Sequence, residues 1–107
     1  MTKAIVAGAD TDGLGSALEV QGVETTYIDT PVTADSMKTA GLADVDLFVL
    51  TDLEDATAIP LAKELNPEVR IVVYAHDTLP EFAKGQADLA VDPDLLGPDV
   101  VAEELLA

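Results

Sequence analysis

Three glycines and one aspartate within the first 29 residues are spaced as groups that could hold a phosphorylated ligand. Gly8, Gly13 and Gly15 lie in the turn Gly8-Ala9-Asp10-Thr11-Asp12-Gly13-Leu14-Gly15. The apolar run Lys3-Ala4-Ile5-Val6-Ala7 precedes this turn, and a segment that can be helical, Ser16 to Gln21, follows it. A glycine turn at the head of a helix lets backbone N–H groups approach a pyrophosphate. An acid about 20 positions past the first glycine is where a ribose-binding carboxylate stands. Asp29, which closes the strand Thr25-Thr26-Tyr27-Ile28, has that spacing. The candidate cofactor contacts are therefore Gly8, Asp10, Gly13, Gly15, Asp29 and Thr51, the last at the end of a later strand.

A structural reading of the same residues stands beside this one. Asp10 and Asp12 can cap the first helix, while Gly13 and Gly15 permit tight packing against the strand. Their carboxylates would occupy the N–H groups or repel phosphates. None of the basic residues, Lys3, Lys38, Lys63, Arg70 and Lys84, belongs to the loop. Asp29 is ambiguous in the same way, since an acid after a strand is often a solvated turn residue. Both readings remain open on the residues alone.

Two further groups bear on chemistry. Asp10, Asp12, Asp52 and Asp77 offer the carboxylate oxygens that magnesium or another hard cation prefers, although a chain this acidic also makes such groupings by chance. His76, the single histidine, is followed by Asp77, and a carboxylate neighbour can tune a proton acceptor. No Ser, Cys or second His is placed to complete a catalytic set, so a surface histidine is the stronger reading and no enzyme is expected.

These residues are carried by a regular alternation of strands and helices. Strands are predicted over Lys3–Ala7, Thr25–Ile28, Asp46–Thr51, Val69–Tyr74 and Ala87–Val91. Between them a short helix runs through Ala40, capped by Thr33 or Asp35 and closed by Gly41. Asp52 to Asp55 can cap a longer helix through about Leu65, in which Pro60 implies a kink or a start nearer Ala58. A short helix follows Pro80, and Pro98 opens a C-terminal helix to roughly Leu106. Leu47-Phe48-Val49-Leu50 is an apolar run of the kind buried on both faces of a parallel sheet. The expected fold is α/β: one Rossmann-like three-layer domain over residues 1–107, with a five-stranded parallel sheet, order 3-2-1-4-5, and helices on both faces.

Composition narrows the partners. With 49% hydrophobic residues in 107, one core can form and a disordered chain is excluded. The 21 acids against 5 bases give a formal charge of -16, which disfavours nucleic acid and anionic membrane surfaces. Acid spread this evenly matches adaptation to molar salt, where screening over roughly 3 Å makes self-repulsion tolerable. The lack of cysteine excludes disulfides and thiolate chemistry, and no apolar run approaches a bilayer span. A cytoplasmic protein is expected.

From about Asp44 onward the chain resembles the N-terminal nucleotide-binding domain of TrkA-type potassium-uptake regulators, the RCK or KTN domain. The likeness is carried by Ala43 to Thr51, by Glu54-Asp55-Ala56-Thr57 leading into Leu61 to Pro67, and by Val69 to Ala75. Tyr27-Ile28-Asp29 and Ala87 to Pro93 fit as well. The resemblance implies NAD(H) or an adenine nucleotide as cofactor, with Gly8 and either Gly13 or Gly15 at the phosphates and Asp29 at a ribose. It also implies a homodimer or a protein partner in a transport or regulatory system. The loop departs from the pattern: Asp10 replaces the second glycine, and the first helix is about two residues short.

Three functions follow as expectations. The first is a nucleotide-binding regulatory domain, whose site the altered loop would leave degenerate. The alternative is a ligand-free interaction or scaffold protein. The third is a phosphorylation receiver domain, which wants acids after the first strand and an Asp ending the third; Asp10, Asp12 and Asp52 roughly supply these. A receiver also requires a Lys at the end of the fifth strand, where Val91-Asp92-Pro93 has none.

Overall fold

The computed structural model describes residues 2–76 and 78–106. Five strands, β1 (Lys3–Ala7), β2 (Glu24–Ile28), β3 (Leu47–Leu50), β4 (Arg70–Tyr74) and β5 (Leu89–Val91), form one parallel sheet. They alternate with α1 (Leu14–Val20), α2 (Ala34–Thr39), α3 (Ala58–Leu65), α4 (Glu81–Lys84) and α5 (Pro98–Leu106). The expected single α/β domain with helices on both faces is what the chain forms.

Strand order is the correction. It is β2-β1-β3-β4-β5 rather than 3-2-1-4-5. The reason lies in the side chains: every residue of β3 is buried, whereas β2, Glu24-Thr25-Thr26-Tyr27-Ile28, buries only its last. A strand apolar on both faces is most stable with neighbours on each side, and a polar strand is suited to an edge. Phe48 therefore lies between Ile5 of β1 and Ile71 of β4.

Alternation along the strands sorts the core into two layers. Ile5, Ala7, Phe48, Leu50, Ile71 and Val73 face the side covered by α2, α3 and α4, where Met37, Ile59, Ala62 and Ala83 meet them. Ala4, Val6, Leu47, Val49, Val72 and Tyr74 face α1 and α5 and pack with Leu14, Leu18, Val101 and Leu105.

Local signals set the helix ends. Thr33 caps α2 with a reciprocal box: its hydroxyl accepts from the Ser36 N–H at 3.0 Å, and Ser36 Oγ accepts from the Thr33 N–H at 3.0 Å. Asp52 does not cap a long helix. It accepts from the Glu54 N–H at 2.9 Å and starts a 3₁₀ turn, Leu53–Asp55. α3 then begins at Ala58, so Pro60 falls in its first turn, where a missing N–H leaves no helical bond unmade. Among the described residues no helix is long and apolar enough to cross a membrane.

Candidate functional site

Because the chain order reverses between β1 and β3, the loops leaving the carboxyl ends of those strands part and open a cleft there. The loop after β1 supplies Ala9, Thr11 and Asp12, the end of β3 supplies Thr51 and Asp52, and the end of β4 supplies His76. Together they line a cleft of about 280 Å³. Asp77, expected beside His76 and in the acidic cluster, lies outside the described residues.

The glycine turn is built for packing. Gly8 has φ of 106°, and its N–H donates to the Ile28 carbonyl at 2.9 Å. The Thr51 hydroxyl, shared between the carbonyls of Ala9 at 2.8 Å and Ala7 at 3.3 Å, lies where a Gly8 side chain would begin. Gly13, with φ of 78°, turns the chain into α1. Asp10 then accepts from the N–H groups of Gly15 at 2.8 Å and Ser16 at 3.2 Å, occupying amides a phosphate would need. Gly15 is small because the Tyr27 ring lies across it, 2.7 Å from where a Cβ would stand. The Tyr27 hydroxyl donates to Glu19.

Asp29 is exposed in a separate groove with Asp35, Ser36 and Thr39, on the α2 side. Of the proposed cofactor contacts, Gly8 and Thr51 meet directly, Asp10, Gly13 and Gly15 organise the entry to α1, and Asp29 stands apart. Asp10 is committed to the amides of Gly15 and Ser16, and among the described residues Asp10, Asp12 and Asp52 do not form a metal-sized group of carboxylates.

His76 gathers carboxylates from two other loops. Its Nδ1 is 3.2 Å from Asp94 Oδ2 and 3.5 Å from Asp92 Oδ1, and its Nε2 is 3.4 Å from Asp12 Oδ1. Asp94 escaped the sequence reading. The available signal was the turn Asp92-Pro93-Asp94 directly after β5, in which the Asp94 N–H donates to Asp92 Oδ1 at 2.8 Å.

The hydrogen bond to Asp94 is the largest cause of a raised His76 pKa; desolvation opposes it, and the charges of Asp94 and Asp12 add to it. The folded-state value thus exceeds the unfolded value of about 6.5. By linkage, the stabilisation is fully present below about pH 6.5 and is lost as pH rises through the raised folded value. NMR titration of the His76 ring is expected to show the elevation, and Asp94→Asn to reduce it. A wild-type midpoint at or below 6.5 would remove the electrostatic role assigned to these carboxylates.

A family model described as a family of unknown function, DUF7126, matches residues 4–105. No curated protein matches the sequence. Among solved structures, the chain is similar to HP1043, an orphan response regulator of H. pylori, with TM-score 0.71 and 15% identity over 98% of this chain and 93% of that one. It is similar to an atypical orphan response regulator described as having a phosphorylation-independent regulatory mechanism, with TM-score 0.72 and 14% identity over 96% and 91% of the two chains. A third likeness, with TM-score 0.66 and 16% identity over all of both chains, is to a chain from the complex of histidine kinase ThkA with response regulator TrrA.

At these identities the likeness establishes the fold. It corrects the expectation of a TrkA- or RCK-type NAD-binding domain, because the neighbours are described as response regulators and this sheet has the order 2-1-3-4-5. The sequence resemblance rests largely on apolar strand runs, which are a general property of parallel sheets covered on both faces.

Proposed function

The chain belongs to the DUF7126 family of unknown function, and from its cleft we propose a receiver-type regulatory domain that acts through protein contact without aspartyl phosphorylation. The observation carrying this reading is the charge pattern at the strand ends. Asp52 stands just past β3, where a receiver keeps its phosphoacceptor, but the residue after β5 is Asp92, where a receiver needs Lys. Phosphoryl transfer depends on cations that neutralise developing negative charge, and the cleft supplies one histidine among acids.

The first loop supports the same reading. Gly8 and Ala9 follow β1 directly, and Asp10 is committed to the amides of α1, leaving Asp12 as the loop acid beside His76. Asp52 Oδ1 already accepts from the Glu54 N–H, so it serves as a local cap. The chain keeps the receiver scaffold with its phosphoryl chemistry dismantled. An orphan response regulator of the same fold is described as having a phosphorylation-independent mechanism, and another likeness is to a chain from a complex of a histidine kinase with a response regulator, so a signalling protein is the class of partner proposed.

Incubation with acetyl phosphate and magnesium in molar KCl tests this, with intact mass and a hydroxylamine-labile acyl phosphate as readouts. No phosphoryl adduct is expected. A stoichiometric adduct abolished by Asp52→Asn would replace this reading with a working receiver.

A further inference from the structure

We propose that His76, Asp92 and Asp94 form a site for a divalent cation of the zinc, cobalt and nickel class. His76 Nδ1 and one oxygen from each carboxylate all lie within 4.8 Å of one another. Donor atoms at about 2.0–2.2 Å from a tetrahedral centre stand roughly 3.3–3.6 Å apart. The separations of Nδ1 from Asp94 Oδ2 and Asp92 Oδ1, 3.2 and 3.5 Å, are already close to that spacing. The remaining adjustment falls on the exposed Asp94 side chain.

The sheet holds the two sides of the site in place. Tyr74 pairs with Val91, and the Ala75 N–H donates to the Val91 carbonyl at 3.2 Å, so the adjacent strands β4 and β5 end at the same level, with His76 two residues past one end and Asp92 one residue past the other. The Asp92–Asp94 turn closes on itself through the Asp94 N–H. Asp12, from the loop after β1, faces the far nitrogen of the ring. Such a carboxylate fixes the tautomer that leaves Nδ1 free to bind a metal and raises the basicity of the imidazole.

Charge and donor type select the cation. Three carboxylates converge on one imidazole, which when protonated offsets one of three negative charges. A dication bound to the neutral ring offsets two. An imidazole donor is poorly suited to magnesium or calcium, whereas one nitrogen with two carboxylate oxygens suits zinc, cobalt or nickel. This site does not depend on the phosphorylation-independent reading: zinc binding reads His76, and the phosphodonor reads Asp52.

The test is zinc calorimetry and cobalt absorption spectroscopy on the full chain in molar KCl, with NMR of the His76 ring. We expect one equivalent of zinc, a shifted His76 resonance, and no displacement by excess magnesium. His76→Ala and Asp94→Asn, both at exposed positions whose folding is checked by thermal melts, should weaken binding about tenfold or more. Asp29→Asn should leave it unchanged. Absence of binding, an unshifted His76, or equal affinity in His76→Ala would overturn the site and assign any bound ion to the general acidic surface.

Discussion

Replacing Gly8 with alanine is expected to cost about 3 kcal/mol of folding stability, through backbone strain and lost hydrogen bonding together. Gly8 has φ of 106°, a conformation that L side chains rarely adopt. Left-handed geometry alone costs roughly 1–2 kcal/mol. The added methyl would overlap the Thr51 hydroxyl and approach the Asp52 nitrogen to 3.3 Å. Thr51 must then rotate and give up its donation to Ala9, a loss of about 1 kcal/mol. Urea unfolding of Gly8→Ala, Thr51→Ala and the double variant separates the two causes. Thr51→Ala should cost about 1 kcal/mol, and the double variant less than the sum, because removing the hydroxyl clears the space and leaves the φ strain. A Gly8→Ala protein within about 0.5 kcal/mol of wild type would show that β1 and β3 do not pass this closely at their ends.

Gly8 joins a signal that is local in the sequence to a contact that is distant in it. Gly8, Gly13 and Gly15 were recognisable as a special turn, since glycine tolerates positive φ and close approach. What approaches them was hidden. The neighbour of Gly8 is Thr51, 43 residues away, and the neighbour of Gly15 is the Tyr27 ring, so both glycines serve contacts that pattern alone does not reveal. Elements governed by local chemistry were legible: β1 spans Lys3–Ala7 and α5 spans Pro98–Leu106 as read, because an apolar run and a first-turn proline are local signals.

The candidate site shows the same division. His76, Asp12 and Asp92 are all visible as acids or a base at strand ends, but their meeting depends on β4 lying beside β5 and on the β1 loop reaching the segment after β4. Asp94 joins them only through the turn after β5, across 18 residues from His76. Of the two readings open for Asp10, the cap is the one its contacts match. A carboxylate two residues past a glycine can bind a cation or cap a helix, and nearby free N–H groups at α1 decide for the cap.

Strand order was readable in principle, and a paired measurement tests it. Phe48→Ala should cost about 3–5 kcal/mol, the range for a large aromatic removed from a closed core. Phe48 is fully buried at the centre of β3, between Ile5 and Ile71, and shares its layer with residues of α2 and α3. Thr26→Ala, exposed on the outer strand β2, should change stability by less than about 0.5 kcal/mol. The order 3-2-1-4-5 would invert the environments, leaving Phe48 on an edge and Thr26 inside the sheet. Denaturation of both variants in the same molar salt keeps self-repulsion constant, so their difference reports burial. A Phe48 cost near 1 kcal/mol together with a Thr26 cost above it would favour the inverted arrangement and remove the β1–β3 cleft on which Asp12, Asp52 and His76 meet.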